Sequence, residues 1–312
     1  MNLQQLEYLV AIDEERHFVR ASERCYVTQA TLSAMIKKLE EEWACIIFDR
    51  SKQPVEPTAI GKDIIKQARV ILSEVNHLKA LVHEETQTVS GIIKLGIIPT
   101  MAPYVLPIFL SGFLNQNKNI QLHIKELTTD EIVAAIEQDK IDIGILATPL
   151  SLPNIVEYPV FYEEFVLYAA IDHPILEHRM VSESDIPPGD LWILEEGHCL
   201  RSQVINFCNI KHKDSVQSRL EFEAGSIETL INLVDTNGGC TILPELSIRH
   251  FSEDKMDQIR FFTNPQPVRE VSLVTSKTWY KSAITKAIKD SIILQIPPKM
   301  LNNANKIVTS IK

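Results

Sequence analysis

A chain of 312 residues exceeds the usual size of one domain and points to two or three. Its hydrophobic content of 45% is enough for real cores, and its net charge of −10 excludes a protein that coats nucleic acid with its whole surface, though not one with a locally basic module. Leu3 to Ile12 is interrupted by Gln4, Gln5 and Glu7, so no secretion signal is expected, and no apolar run approaches a membrane span. The expected compartment is the cytoplasm, where a disulfide is more often transient than structural.

Residues 1–57 read as short helices. Leu3, Leu6, Leu9 and Val10 form one apolar face, and Phe18 to Cys25 forms a second short helix. Thr28 is a plausible N-cap for a third helix, with Leu32, Ile36 and Leu39 as its buried stripe. Two short helices joined tightly at Tyr26-Val27 make the helix-turn-helix pattern. The outer face of the third helix carries Gln29, Thr31, Ser33, Lys37 and Lys38, suited to base edges and phosphates. Residues 16–38 hold Arg16, Arg20, Arg24, Lys37 and Lys38 against Glu23, a local balance of +4. By periodicity alone, a helical bundle with a solvated charged face is slightly favoured.

Residues 46–57 contain two short extended pieces around Ser51-Lys52-Gln53, a β-wing with Arg50 and Lys52 near its tip. Cys25 and Cys45 fall among apolar neighbours and read as small buried hydrophobes. Thr58 then opens a long helix over 58–88, in which Ile64, Ala68, Ile71, Val75, Leu78 and Val82 form an a/d seam. Such a seam calls for a second helix, so a dimer through residues 58–85 is expected.

From Gly91 the texture becomes alternating strands and helices. Strands are expected over Ile92–Ile98, Ile120–Glu126 and Ile141–Ala147, and helices over Tyr104–Asn115 and Asp130–Asp139. A second set runs from a strand at Phe165–Ile171 to about Phe262, followed by a strand at Val268–Thr275 and a helix at Ser282–Leu294. This is an α/β pattern with a mostly parallel sheet, and two such lobes leave a ligand cleft between them. Thr100 and Thr129 border that cleft, where a threonine before a helix is also an ordinary cap.

Within the second set, Gly197-His198-Cys199-Leu200-Arg201 leads to Phe207-Cys208. Leu200, Val204 and Phe207 lie on one helical stripe, so the two cysteines begin and end a short helix. Nine residues of helix hold their Cα atoms roughly 13 Å apart, whereas a disulfide needs them within about 7 Å. If these thiols pair, the helix must unwind. His198, Arg201 and the helix N-terminus favour a reactive thiolate at Cys199. Inert packing weighs about equally here. Metal binding by His198, Cys199, Cys208 and His212 ranks third, because the spacing is not that of a zinc knuckle.

Taken together, Phe18-Val19-Arg20-Ala21-Ser22, Thr28-Gln29-Ala30-Thr31-Leu32-Ser33, Ile36-Lys37-Lys38-Leu39-Glu40 and Phe48-Asp49-Arg50 resemble the LysR-type transcriptional regulators. The stretch from Gly197 to Cys208, with Ile98-Pro99-Thr100 and Thr129, resembles the peroxide-sensing branch of that family. The resemblance implies a winged helix-turn-helix at 1–57 and a linker and dimerisation helix at 58–90. A two-lobed, periplasmic-binding-protein-like redox-sensing domain follows at 91–301, with a disordered tail at 302–312. It implies DNA contacts from Arg20, Thr28, Gln29, Thr31, Ser33, Lys37, Lys38 and Arg50. It also implies a peroxidatic Cys199, a resolving Cys208, and peroxide held and polarised by Thr100, Thr129 and His198, with Arg201 helping to keep Cys199 as thiolate. The partners implied are promoter DNA, hydrogen peroxide, RNA polymerase and further copies of the chain as dimers and tetramers. No cofactor, metal or membrane is implied. A regulator answering a small organic effector is the alternative. A cysteine peroxidase comes last, since a turnover enzyme needs neither a DNA-binding module nor a dimerising helix. The chain departs from the family at Glu42-Trp43-Ala44, where a leucine-glycine turn is usual, and at Ala30, where proline is common.

Overall fold

The computed structural model describes residues 1–84, 90–208 and 224–311. They divide into two units, Met1–Thr88 and Val89–Lys312. Residues 85–88 of the expected long helix, His212 and the side chain of Val82 lie outside what is described.

In the first unit, helices α1 (Leu3–Glu15), α2 (Phe18–Arg24) and α3 (Gln29–Glu42) precede strands β1 (Phe48–Asp49) and β2 (Glu56–Pro57) and helix α4 (Ala59–Glu84). Asn2 and Gln5 form a reciprocal capping box at α1. Thr28 caps α3 by accepting the Thr31 N–H at 3.2 Å. Leu6, Leu9, Ile12, Leu32, Ile36 and Leu39 meet Ile47 and Phe48 in one core. Antiparallel pairing of Phe48 with Pro57 makes the expected wing. Gly61 is required where α4 crosses the wing, since a Cβ there would stand 2.1 Å from the Ile47 carbonyl oxygen.

The expectation that the whole α4 seam needs a second chain is corrected here. Ala68 is buried, and Ile64 and Ile71 pack partly buried against the helix-turn-helix core of the same chain. Arg69, 7% exposed, pairs with Asp13 at 3.0 Å and Glu14 at 2.6 Å. The partner of the first half of the seam is therefore α1, a shorter helix than the periodicity suggested. Further along, Leu78 is 66% exposed, and the seam there has no such cover.

The second unit contains β3 (Gly91–Ile97), α5 (Ala102–Gln116), β4 (Ile120–Glu126), α6 (Thr129–Glu137), β5 (Ile143–Thr148), β6 (Ile155–Ala169), β7 (Met180–Val181) and β8 (Leu191–Trp192). It continues with α7 (Cys199–Phe207), α8 (Ile227–Asn237), β9 (Cys240–Pro244), α9 (Glu253–Met256), β10 (Ile259–Phe262), β11 (Gln266–Ser276), α10 (Ser282–Ile293) and β12 (Lys306–Val308). The strand order is β4-β3-β5-β11-β6-β10-β7, with β12 on β11, β9 on β6 and β8 on β9.

The β3, β4 and β5 strands are parallel, as βαβ units require. The sheet as a whole is mixed, because β11 returns between β5 and β6 antiparallel to both. The β6 strand begins ten residues earlier than Phe165, at Ile155, and serves both lobes. It pairs with β11 from Ile155 to Glu164 and with β9 from Phe165 to Ala169. Each lobe has its own core.

The tail is also corrected. Lys306–Val308 pairs in parallel with Gln266–Val268, and Thr309 is buried. The expectation of disorder at 302–312 rested on its place at a terminus, but a short edge strand takes its hydrogen bonds from a neighbour that the tail's own sequence does not show.

Candidate functional site

The α7 helix lies between the two lobes with a different face toward each. Leu200 and Val204 are buried in the second lobe's core. Phe207 packs there edge-on to Phe262, with ring centroids 5.0 Å apart. Cys199, one residue round the helix, belongs instead to the first lobe's core. Its side chain therefore crosses the boundary between lobes.

Burial pushes the Cys199 thiol up. Opposing it are the charge of Arg269, the Thr129 hydroxyl and the backbone N–H groups of Leu200 and Ala147. These four come from β11, α6, α7 and β5, and together they offset part of the effect of burial on that sulfur without reversing it. Thr129 Oγ1 is buried and has no conventional hydrogen bond besides its approach to that sulfur.

Arg269, wholly buried, donates through Nε to Glu163 at 2.7 Å. It also donates to the Thr100 hydroxyl and carbonyl, both at 3.2 Å. Glu163 accepts in turn from the Leu246 N–H at 2.8 Å. The guanidinium is held rigidly, and Thr100 serves as one of its anchors. Nearby, burial pushes Tyr104 up to about 12, so it stays a neutral hydrogen-bonding group at ordinary pH.

Thr100, Thr129 and Cys199 thus come together. His198 caps α7 through its backbone only, its ring lying 3.6 Å from Glu195. Arg201 is corrected: its guanidinium donates to the Leu194 carbonyl at 2.7 Å, and the cation acting on Cys199 is Arg269. Two residues along a helix point a side chain away from the first residue's face. The signal for Arg269 was an arginine inside the apolar strand Val268–Thr275, opposite Glu163 in the β6 register. Charges in such strands are rare unless paired.

Cys208 caps the other end of α7, half-buried, and burial pushes its thiol up to about 12. Both cysteines are free thiols. The helix between them is intact, so their Cα atoms are held about 13 Å apart. Among the described residues no three His, Cys, Asp or Glu side chains gather as a metal site would need. Nor is any described helix long and apolar enough to cross a membrane.

On α3, Gln29, Thr31, Lys37 and Lys38 are exposed, as is Thr28 at its cap. Thr28 and Thr31 share a hydroxyl hydrogen bond at 2.9 Å, so both are partly engaged in capping. Lys37 stands 3.8 Å from Glu41. Arg20 donates to the Glu15 carbonyl at 2.6 Å. Arg50 turns back from the wing: it pairs with Glu40 at 2.9 Å, donates to Ser33 at 3.4 Å and lies over the Phe18 ring.

Comparison with known proteins agrees with this architecture. Residues 3–62 match the bacterial regulatory helix-turn-helix protein, lysR family, and residues 86–293 match the LysR substrate binding domain. A hydrogen peroxide-inducible genes activator from Pectobacterium carotovorum subsp. carotovorum is 36% identical, over 88% of this chain and 90% of that protein. The DNA-binding transcriptional dual regulator OxyR of Escherichia coli K12 is 36% identical, over 88% of this chain and 89% of its own. Among solved structures, a full-length OxyR variant from Pseudomonas aeruginosa superimposes with a TM-score of 0.82 at 29% identity, covering 95% of this chain and 99% of that one. Helix-turn-helix, wing, linker helix and two-lobed domain occur here in the order those matches require, and the chain belongs to the LysR family of DNA-binding transcriptional regulators.

Proposed function

We propose that this chain is a cytoplasmic regulator that binds promoter DNA and responds to hydrogen peroxide through Cys199 and Cys208. The observation that carries the reading is the Cys199 sulfur itself. It sits among a guanidinium, a hydroxyl and two N–H groups, at one end of a helix whose other end is a second thiol. The relatives named as peroxide-inducible activators support it.

Cys199 loses its proton to solvent, and the thiolate attacks one oxygen of peroxide. The S–O bond forms as the O–O bond breaks, and the departing hydroxide takes up a proton to leave as water. Cys199 is now a sulfenic acid, oxidised by two electrons. Thr129 and Arg269 hold negative charge at that sulfur during attack, Thr100 anchors Arg269, and His198, next to Cys199 in the chain, helps hold and polarise the peroxide. Cys208 then gives up its proton and attacks the same sulfur, so the S–S bond forms as the S–O bond breaks, and the departing hydroxide takes up that proton to leave as a second water. Closure requires α7 to unwind. Leu200, Val204 and Phe207 must then leave the second lobe's core. The interface between subunits repacks, and the spacing of the winged helices on DNA changes. The event is a switch used once per activation, not enzymatic turnover.

On DNA, Gln29 and Ser33 meet bases, and Arg20, Thr28, Thr31, Lys37, Lys38 and Arg50 serve the phosphates, the paired ones after exchanging their present partners. The uncovered half of the α4 seam joins dimers, dimers pair into tetramers, and the bound assembly meets RNA polymerase.

Peptide mapping and DNase footprinting of reduced, peroxide-treated and Cys208→Ser protein test the reading together. A Cys199–Cys208 disulfide with an altered footprint, lost in Cys208→Ser, is expected. Free thiols after peroxide, or identical footprints in both redox states, would overturn it.

A further inference from the structure

A helix as short as α7 is marginal alone. It has no side-chain N-cap, no acid in its first turn and no base in its last. Its apolar stripe fixes one face to the second lobe. On the other face, Cys199, Gln203 and Asn206 follow at spacings of 4 and 3, and the last two find a partner far away in sequence. Gln203, wholly buried, donates from Nε2 to the Thr309 carbonyl at 3.3 Å, and Asn206 donates from Nδ2 to the Ser310 carbonyl at 3.1 Å.

That partner is itself firmly attached to the first lobe. Beyond the β12 pairing, the Thr309 N–H and hydroxyl both donate to the Val268 carbonyl, at 2.8 and 3.0 Å. Lys306, with a side chain 8% exposed, pairs with Glu164 at 3.3 Å, and Ile311 packs against the first lobe's core. The residue after Val268 is Arg269, so the tail and the cation beside Cys199 hang from one stretch of β11.

From this geometry we propose that the C-terminal segment Lys306–Ile311 is a strap that holds α7 helical and sets the rate at which Cys199 and Cys208 close. The proposal rests on the redox reading above. In reduced protein the strap and the second lobe grip opposite faces of α7. Unwinding must break both grips, and once α7 has refolded the strap loses its two donors. At these two contacts the tail contributes main-chain carbonyls, so its position along β11 is what matters there.

The test uses the full chain, a chain ending at Val308, and Asn206→Ala in the full-length chain, which removes the side-chain bond to the Ser310 carbonyl without shortening anything. Amide exchange across residues 199–207 is measured in reduced protein. Disulfide closure after peroxide is timed separately from sulfenic acid formation, the latter trapped with dimedone in a Cys208→Ser background. Two hydrogen bonds of ordinary strength correspond to roughly 5- to 30-fold in an equilibrium. Closure should speed up by about that factor in the truncated chain and by roughly fivefold in Asn206→Ala, with faster exchange in α7 and unchanged sulfenic acid formation. Oxidation of the full chain should also raise exchange over 306–311. Unchanged α7 exchange in both variants, or faster exchange with an unchanged closure rate, overturns the strap. If peroxide joined no thiols in any variant, the redox reading and the rate-setting role would fall together. The exchange data would then still decide separately whether the tail holds the helix.

Discussion

Arg269 lies on β11 of the lobe whose core takes in Cys199, and its charge is the largest influence that opposes burial of that thiol. Its own charge is balanced by Glu163, which is equally buried. Removing only the arginine should therefore cost about 3–5 kcal/mol of stability, because a carboxylate is left buried without a partner. The pair Arg269→Met with Glu163→Gln should recover most of that in urea unfolding. Its Cys199 should nevertheless react more slowly with peroxide, about tenfold for each pK unit the thiol rises. A double variant that folds and reacts at the native rate would remove Arg269 from the chemistry.

Assembly separates along α4. Leu78→Glu should dissociate dimers in light scattering and leave the helix-turn-helix folded, since Leu78 is already 66% exposed. Ile71→Glu should instead destabilise the DNA-binding unit, because Ile71 packs against its core. Equal effects of both on oligomer size and on melting would contradict the division of the seam.

Alkaline pH should unfold the second unit progressively. Burial pushes Cys208 and Cys240 up to about 12 from an ordinary 9.0. Both thiols are thus favoured as neutral groups in the folded state. Their contribution is fully present below pH 9 and is lost as pH climbs toward about 12. Urea midpoints of reduced protein should fall across that window, and the fall should be shallower in Cys240→Ala. The same protonation predicts that neither thiol is alkylated readily at neutral pH.

On DNA, Gln29→Ala should relax preference at one base position. Lys38→Ala should weaken every sequence alike and lower the salt slope by about one unit. Native ranking of site variants by Gln29→Ala would place the recognition helix in another register.

The legible parts of the chain were those written in local spacing. Thr28 as a cap, the Leu32-Ile36-Leu39 stripe and the α7 stripe each need only their own segment to be read. The parts that escaped depend on distant partners. Ile64 and Ile71 look like coiled-coil positions until α1 is seen against them. Arg201 is near Cys199 in sequence and turned to Leu194 in space, whereas Arg269 is near only after β11 inserts between β5 and β6. The tail looks disordered until Val268 offers it a carbonyl.

Because α7 has almost no helical stability of its own, its persistence is a matter of temperature as well as oxidant. Warming favours the conformational entropy that a local opening of α7 releases, and so loosens this helix sooner than it unfolds either lobe. At a fixed dose of peroxide, a warm cell would therefore trip this switch earlier than a cold one, and the device that reads oxidant would carry a record of heat.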